Sequence, residues 1–209
     1  MQEEFFSALA AGDPVKMESL LKKRLDQVIP AEKIINEDLV PAMEKVGVKF
    51  QKNEIFLPEV MLAARTMQVG LKILQPKLAG GKREFAGRVV IGTVQGDYHD
   101  IGKNLVAMML EGAGYEVFDL GTDVSPERFV GGVRKHQAHL LGMSALLTTT
   151  MPVMEQIVRA LAEAGLRDKV KVMAGGAPVT RDYAGRIGAD GYAPDAGAAV
   201  ELAKKLRRM

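Results

Sequence analysis

The stretch Val89-Val90-Ile91-Gly92-Thr93-Val94-Gln95-Gly96-Asp97-Tyr98-His99-Asp100-Ile101-Gly102 leads from a short apolar run into a polar loop and then into a second apolar segment. The apolar run is rich in β-branched residues, which is typical of a strand buried inside a parallel sheet. Glycine and aspartate then mark a turn. The stretch therefore predicts a strand, a loop and a helix, with a histidine close to the end of the strand.

Residues 96–102, called here the His99 loop, contain a candidate metal ligand. The chain has three histidines and no cysteine, so its own ligands to a transition metal would be imidazole or carboxylate. Only His99 has carboxylates beside it, and Asp97 could accept the hydrogen bond of its second ring nitrogen. Gly102 leaves room for something bulky near the first helical turn. The alternative is a polar turn in which Asp97 or Asp100 caps the helix.

The pattern beyond residue 87 predicts an α/β domain over 87–209. Apolar runs near 88–94, 115–120, 139–144, 170–174 and 189–193 alternate with helical stretches near 101–113, 126–136, 152–165, 179–187 and 195–207. Such alternation is typical of a parallel sheet covered on both faces. We predict a flavodoxin-like, doubly wound sheet of five strands, whose ligands bind beyond the carboxyl ends of the strands.

The residues before the sheet show a helical rhythm. Up to residue 78 apolar residues recur at intervals of three and four, which predicts a cap domain of four helices over 1–78. The third helix contains Pro41, which is expected to bend it rather than end it. The stretch Ala-Gly-Gly-Lys-Arg-Glu-Phe-Ala at 79–86 is predicted to be a linker.

Composition and charge exclude several classes of function. The 209 residues are 47% hydrophobic with a net charge of +2, which is enough for a core and lacks the basic stripe of a nucleic-acid binder. The acidic start Met1-Gln2-Glu3-Glu4-Phe5-Phe6 is unlike a secretory signal. No stretch reaches the ~20 apolar residues of a membrane span. We expect a cytoplasmic protein that binds neither nucleic acid nor membrane.

Three further turns are expected at the same edge of the sheet. They are Ser144-Ala145-Leu146-Leu147-Thr148-Thr149-Thr150, called here the hydroxyl loop, then Gly175-Gly176-Ala177-Pro178, and Ala193-Pro194-Asp195. The hydroxyl loop has more hydroxyls than one helix cap needs, although a solvated cap is the simpler interpretation. The chain has no Gly-x-Gly-x-x-Gly after the first strand and no Gly-x-x-x-x-Gly-Lys-Ser/Thr, which disfavours a dehydrogenase or a P-loop enzyme.

Three motifs in this order resemble a known family. Asp97-Tyr98-His99-Asp100-Ile101-Gly102, Ser144-Ala145-Leu146 and Gly175-Gly176 resemble the Asp-x-His-x-x-Gly, Ser-x-Leu and Gly-Gly signature of cobalamin-binding domains. Val46-Gly47, Phe50 and Glu54-Ile55-Phe56-Leu57-Pro58-Glu59-Val60 resemble the four-helix cap of cobalamin-dependent methionine synthase. The whole chain is similar to the stand-alone corrinoid proteins of anaerobic methyltransferase systems, which use methanol, methylamines, methoxylated aromatics or betaines.

The resemblance implies a cofactor and the residues that hold it. Cobalamin or a related corrinoid would bind with its own lower base displaced and with His99 as the lower axial ligand of cobalt. Ser144 would hydrogen-bond the buried base, Thr148 would lie beneath the corrin, and glycines would admit the nucleotide tail. The implied cofactor-binding residues are Asp97, His99, Asp100, Ile101, Gly102, Ser144, Leu146, Thr148, Thr150, Gly175, Gly176 and Phe56.

The resemblance also implies a hydrogen-bond relay. In the methionine synthase relatives a serine completes a relay from the ligand histidine through the aspartate, and Thr150 occupies the matching position here. Compared with that serine, the threonine at position 150 keeps the hydroxyl and adds a methyl group. Such a relay would let the imidazole of His99 gain or lose proton character as cobalt cycles between methylcobalt(III) and cobalt(I).

The helical cap would shield the upper face of the cofactor. By resemblance Phe56, with Val60 or Met61 on the next turn, would cover the face that carries the methyl group. The residue pattern alone instead favours Phe56 as a core residue of the bundle. The predicted linker at 79–86 would let the cap move, so that two different enzymes reach the same face.

The function that the resemblance implies is a corrinoid methyl carrier of one-carbon metabolism with no complete active site of its own. A substrate-specific methyltransferase would load cobalt(I), a second one would unload the methyl group to tetrahydrofolate or a thiol, and a reductive activase would restore the cofactor. His136 and His139 are expected to be surface or core residues. The alternatives are a cobalamin-dependent sensor, the small subunit of a radical mutase, and a divalent-metal site of Asp97, His99 and Asp100.

Overall fold

The computed structural model describes residues 2–78 and 85–208, which form two compact units. Residues up to Ala86 together with Gly112–Gly114 make the first unit, and Gly87–Glu111 with Tyr115–Met209 make the second. Residues 79–84 of the predicted linker lie outside the described part of the chain. Among the described helices, none is long and apolar enough to cross a membrane.

The first unit is helical, and each of its helices after the first begins at or next to a proline. Its helices are α1 (Gln2–Ala10), α2 (Pro14–Asp26), α3 (Ala31–Ile34), α4 (Val40–Gln51) and α5 (Leu57–Leu74), with one 3₁₀ turn at Gln75–Lys77. Asp13 caps α2 by accepting the N–H of Lys16 at 2.9 Å, and Pro14 takes the first helical position. Fully buried side chains from every helix, among them Phe5, Met17, Ile34, Met43 and Met67, form the core. The predicted helical character of this region is confirmed.

A π-helical turn, Ile35–Leu39, joins α3 to α4 where the sequence predicts a bend. Pro41 has no N–H, so the carbonyl of Glu37 lacks its usual helical partner. The side-chain amide of Gln2 donates to that carbonyl at 2.8 Å. The wider turn lets the N–H of Val40 bond to the carbonyl of Ile35. The helix therefore continues past Pro41.

The second unit is built on a parallel sheet. Its strands are β1 (Arg88–Thr93), β2 (Glu116–Asp119), β3 (Leu140–Ser144), β4 (Lys171–Gly175) and β5 (Gly191–Ala193). They alternate with α6 (Ile101–Gly112), α7 (Pro126–His136), α8 (Pro152–Glu163), α9 (Arg181–Arg186) and α10 (Ala196–Arg207). All pairings are parallel in the order β2-β1-β3-β4-β5. This is the flavodoxin-like order, so the predicted fold class is confirmed.

The strand register brings the predicted loops to one edge of the sheet. Thr93 at the end of β1 is level with Ser144 at the end of β3. Ser144 is level with Gly175, which is level with Ala193. Because parallel strands end at the same edge, the loops that follow them are neighbours there.

Candidate functional site

A buried carboxylate, that of Asp97, joins the His99 loop to the hydroxyl loop. Asp97 is 0% exposed. Its Oδ1 accepts the N–H of His99 at 3.0 Å and lies 2.8 Å from Nδ1 of the same residue. Its Oδ2 accepts the N–H groups of Leu146 at 2.7 Å and Leu147 at 3.2 Å, and lies 3.0 Å from Oγ1 of Thr150. The structure therefore brings His99, Asp97 and Thr150 together.

These donors keep Asp97 ionised. Burial alone would raise the pKa of the Asp97 carboxyl, but hydrogen bonds from the N–H groups of Leu146 and His99, the His99 ring and the Thr150 hydroxyl hold it well below its usual range. An ionised carboxylate only accepts hydrogen bonds. The hydrogen between Oδ1 of Asp97 and Nδ1 of His99 therefore lies on Nδ1. The His99 side chain is 52% exposed, and its Nε2 has a lone pair for a metal.

The hydroxyl of Thr150 is buried and has two acceptors. Its Oγ1 lies 3.0 Å from Oδ2 of Asp97 and 2.9 Å from the carbonyl oxygen of Leu147. With a single hydrogen it donates to one of them at a time. Thr148 and Thr149 are exposed, whereas Thr150 is buried. The interpretation of the hydroxyl loop as a solvated cap is therefore wrong for Thr150.

The predicted glycines have different surroundings. A Cβ added to Gly102 would meet nothing within 4 Å, so space is open there, as expected for the approach of a bulky group. A Cβ on Gly176, where φ is +123°, would overlap the backbone carbonyl of Ala145, and one on Gly175 would lie 3.0 Å from the carbonyl oxygen of Ala193. Packing between the strand ends is thus itself a reason for glycine at these two positions.

Exposed apolar side chains of the second unit concentrate in the same two loops. Its exposed large hydrophobic residues, within the described part, are Tyr98, Ile101, Leu146 and Leu147. The first two flank His99, and the last two carry the N–H groups that bind Asp97. Exposed apolar surface beside a few fixed polar groups is typical of a ligand site.

Two residues that the sequence interpretation missed support the His99 loop. The hydroxyl of Thr93, at the end of β1, donates to the carbonyl of His99 at 2.9 Å. Asp123, in the loop after β2, accepts the N–H of Gly96 at 2.8 Å. The available signal for Asp123 was the turn Gly121-Thr122-Asp123 directly after the predicted strand near 115–120, which the structure places next to β1.

Asp100, a predicted cofactor contact, is tied to α6. Nδ2 of Asn104 donates to Oδ2 of Asp100 at 3.0 Å. The buried ammonium of Lys103 donates to Oδ1 of Asn104 at 2.6 Å and pairs with the carboxylate of Asp119 at the end of β2. A buried ammonium requires such partners. This chain of contacts, which the sequence did not indicate, links the His99 loop to β2.

The two other histidines have structural partners. His136 stacks on Phe118 with the ring centroids 3.8 Å apart. Nδ1 of His139 accepts the N–H of Arg88 at 3.0 Å, and burial, with the nearby charges of Arg207 and Arg88, lowers the pKa of His139. Both agree with the expected surface or core role. Over residues 2–78 and 85–208, no group of three or more His, Asp or Glu side chains could hold a metal ion, so the divalent-metal alternative has no geometric support.

The helical unit corrects one expectation about the cap. Phe56 is 65% exposed, so the prediction that it belongs to the bundle core is wrong. It lies just before α5, where its N–H donates to Oε2 of Glu59 at 2.7 Å, outside the packed face of the helix. Of the two residues named as alternatives on the next turn, Val60 is fully buried and Met61 is half-buried, so Met61 is the one that has accessible surface.

Comparison with known proteins identifies the family. Two family models, each described as a B12 binding domain, match residues 87–201 and residues 1–75. The chain belongs to the cobalamin-binding corrinoid proteins. A corrinoid protein of Desulfitobacterium hafniense (strain Y51) is 42% identical over 207 residues, which are 98% of this chain and 96% of that protein. A dimethylamine corrinoid protein of Methanosarcina barkeri is 46% identical over 191 residues, 90% of this chain and 88% of that protein.

Solved structures of this family have the same architecture. A cobalamin-binding protein of Desulfitobacterium hafniense DCB-2 matches with a TM-score of 0.83 and 31% identity, covering 99% of this chain and 98% of that one. The methanol:cobalamin methyltransferase complex of Methanosarcina barkeri matches with a TM-score of 0.89 and 29% identity, covering 98% of this chain and 78% of that one. As a corrinoid protein of a methyltransferase system, the chain binds cobalamin or a related corrinoid.

Proposed function

We propose that this corrinoid protein is a methyl carrier, with His99 as the lower axial ligand of cobalt in a corrinoid whose own base is displaced. When bound, the corrinoid supplies a cobalt centre that takes up and releases a methyl group. The observation that carries the proposal is the exposed imidazole of His99, whose Nδ1 lies 2.8 Å from the buried carboxylate of Asp97.

The fixed environment of His99 suits a metal ligand. Its ring is held by Asp97, and its carbonyl is held by the hydroxyl of Thr93. Because an ionised carboxylate only accepts hydrogen bonds, Asp97 holds the ring through Nδ1–H and leaves Nε2 as the ring atom for cobalt. The relay through Asp97 and Thr150 is proposed to fix the orientation of the imidazole and its strength as a ligand.

The residues around His99 suit a large, flat ligand. Gly102 has open space where a Cβ would lie, and Ile101 of the His99 loop and Leu146 of the hydroxyl loop expose apolar side chains. We assign these residues to cofactor contact, together with Asp100, Ser144, Thr148, Gly175 and Gly176. In the helical unit, the exposed ring of Phe56 is proposed as the shield of the methyl-bearing face.

The proposed partners are methyltransferases. Relatives of this chain are named dimethylamine corrinoid proteins, and one solved relative is part of a methanol:cobalamin methyltransferase complex. We propose that a substrate-specific methyltransferase loads this carrier in the cytoplasm, that a second enzyme passes the methyl group to tetrahydrofolate or a thiol, and that a reductive activase restores the cofactor. The division into a cap at 1–78, a linker at 79–86 and a binding domain at 87–209 remains a prediction.

Replacing His99 with alanine is expected to abolish protein ligation of cobalt. Wild type should bind hydroxocobalamin stoichiometrically in a visible-absorption titration, and His99→Ala should bind at least about tenfold more weakly. Reduction to cobalt(II) in protein labelled with ¹⁵N-histidine then reports the axial atom. A ligand nitrogen from the protein splits the paramagnetic resonance lines into doublets, whereas the unlabelled cofactor base gives triplets.

His136→Ala is the matched control, because it removes a histidine that lies outside the His99 loop and stacks on Phe118. It should retain both the affinity and the doublets of wild type. Triplets in the wild-type spectrum, or affinity that is unchanged in His99→Ala, would contradict the ligand role of His99.

The hydroxyl of Thr150 is expected to matter more than its methyl group. Thr150→Val keeps the shape of the side chain and removes a donor to Asp97, so cobalamin binding should weaken about tenfold, as for other groups that orient a metal ligand. Thr150→Ser keeps the hydroxyl and should remain within about threefold of wild type. Equilibrium titration measures both, with thermal unfolding of the cofactor-free variants as the control for stability. If Thr150→Val binds cobalamin as tightly as wild type, the proposed role of Thr150 in the relay is contradicted.

A further inference from the structure

Asp123, in the loop after β2, contacts three consecutive residues that precede His99. Its carboxylate accepts the N–H of Gly96 at 2.8 Å and the hydroxyl of Tyr98 at 3.1 Å. Its own N–H donates to the carbonyl of Asp97 at 3.0 Å. One residue outside both motif loops thus holds residues 96–98 through backbone and side chain together.

The backbone of Asp123 is strained. Its φ is +52°, in the left-handed region that few residues other than glycine adopt. Such a conformation costs on the order of 1 kcal/mol and persists only where the surroundings enforce it. Here the N–H of Val124 donates to the carbonyl of Thr93, and the N–H of Thr93 donates to the carbonyl of Gly121, both at 3.0 Å. The loop after β2 is therefore held against the end of β1 on both sides of Asp123.

The contact to Tyr98 fixes an exposed ring next to His99. The side chain of Tyr98 is exposed, and its hydroxyl is hydrogen-bonded to Oδ2 of Asp123. An exposed side chain without such an anchor would sample several rotamers. The anchor restrains the ring and the backbone of residues 96–98 at once.

We propose that Asp123 is a positioning residue that holds the His99 loop ready for cobalt ligation, a role that rests on the proposed ligand function of His99. The hydrogen bonds of Asp123 go to residues 96–98, which precede the imidazole-bearing residue. It acts by restricting the segment that precedes His99, because ligand binding to a conformation that is populated only part of the time is weakened by that fraction. Removing its carboxylate lowers the population of the ligation-ready loop.

Three variants separate this role from a general loss of stability. Asp123→Gly keeps the left-handed backbone accessible and removes the carboxylate, whereas Tyr98→Phe removes only the hydroxyl donor. Asp190→Asn is the control, because Asp190 accepts the N–H of Val172 at 2.7 Å and pairs with Arg167 at 2.8 Å, at the amino ends of β4 and β5. Each variant is titrated with hydroxocobalamin, and its cobalt(II) form is examined with ¹⁵N-histidine labelling. Thermal unfolding of each cofactor-free variant reports stability.

Asp123→Gly is expected to bind hydroxocobalamin about tenfold more weakly and to show a smaller fraction of histidine-ligated cobalt. Tyr98→Phe should bind hydroxocobalamin about threefold more weakly, which is the effect expected from the loss of one hydrogen bond. Asp190→Asn should unfold at a lower temperature and keep full histidine ligation. Wild-type ligation in both Asp123→Gly and Tyr98→Phe would overturn the positioning role while leaving His99 as the ligand. If wild-type protein itself gives triplets, the ligand role fails and the positioning role fails with it.

Discussion

Replacing Gly176 with alanine is expected to destabilise the sheet unit by on the order of 4 kcal/mol, a large part of the 5–15 kcal/mol that a domain typically has. At φ +123° an L side chain is strained, and its Cβ would overlap the carbonyl oxygen of Ala145. Ala145 cannot easily move, since its N–H donates to the carbonyl of Gly175 at 3.2 Å and the next N–H binds Asp97. The overlap in Gly176→Ala is therefore expected to distort the backbone that donates to Asp97.

Urea unfolding followed by far-ultraviolet circular dichroism measures this effect. Gly131→Ala is the matched control, because Gly131 lies in the middle of α7 and a Cβ there meets nothing within 4 Å. That change should stabilise the protein by about 0.5–1 kcal/mol, since alanine is the better helix former. A loss below about 1 kcal/mol in Gly176→Ala would contradict the close approach of Ala145.

Asp97→Asn is expected to destabilise the sheet unit by about 3 kcal/mol at neutral pH. The carboxylate accepts hydrogen bonds from the N–H groups of His99, Leu146 and Leu147, from the His99 ring and from the Thr150 hydroxyl. Asparagine offers one acceptor oxygen and turns a donor amide toward the rest of these donors. At least one buried N–H group then loses its acceptor.

The pH dependence of this difference has a definite sign. Because folding lowers the pKa of Asp97, its contribution to stability is complete above the unfolded carboxyl's pKa of about 4 and is lost as the pH falls toward the lower folded value. Urea unfolding at several pH values should show the largest gap between wild type and Asp97→Asn near neutral pH, and a narrowing gap below about pH 4.

Asp26→Asn is the control for the change of charge. Asp26 is exposed at the end of α2, and its replacement should change stability by no more than about 0.5 kcal/mol. Equal stability of Asp97→Asn and wild type at neutral pH would contradict the buried, ionised carboxylate.

The fold and the centre of the site were predictable because local patterns encode them. Short apolar runs separated by helical stretches were enough for the five parallel strands, since the central strands β1, β3 and β4 are mostly buried. The contact between Asp97 and His99 follows from a spacing of two residues across a turn. Thr150, by contrast, entered through the family resemblance, because its distance in sequence from Asp97 carries no local signal.

The features that the sequence did not predict depend on contacts between distant segments or on where a helix begins. In the π-helical turn, the carbonyl that Pro41 leaves without its helical partner accepts a hydrogen bond from Gln2, 35 residues away. Lys103 is buried because Asp119, on another element, neutralises it. Phe56 has the spacing of a core residue and is exposed because it precedes the first turn of α5. In each case a partner far along the chain, or a helix boundary, overrides the periodic pattern.

The hydrogen bond between Asp97 and Leu146 joins positions 49 residues apart, and this limits how the site could be transplanted. A designer who grafts residues 96–102 onto another flavodoxin-like sheet brings a carboxylate that needs donors from residues 146–150. Without those donors the graft places an unsatisfied anion in the host interior. The unit that can be exchanged between proteins is therefore the pair of loops, moved together onto two adjacent strands.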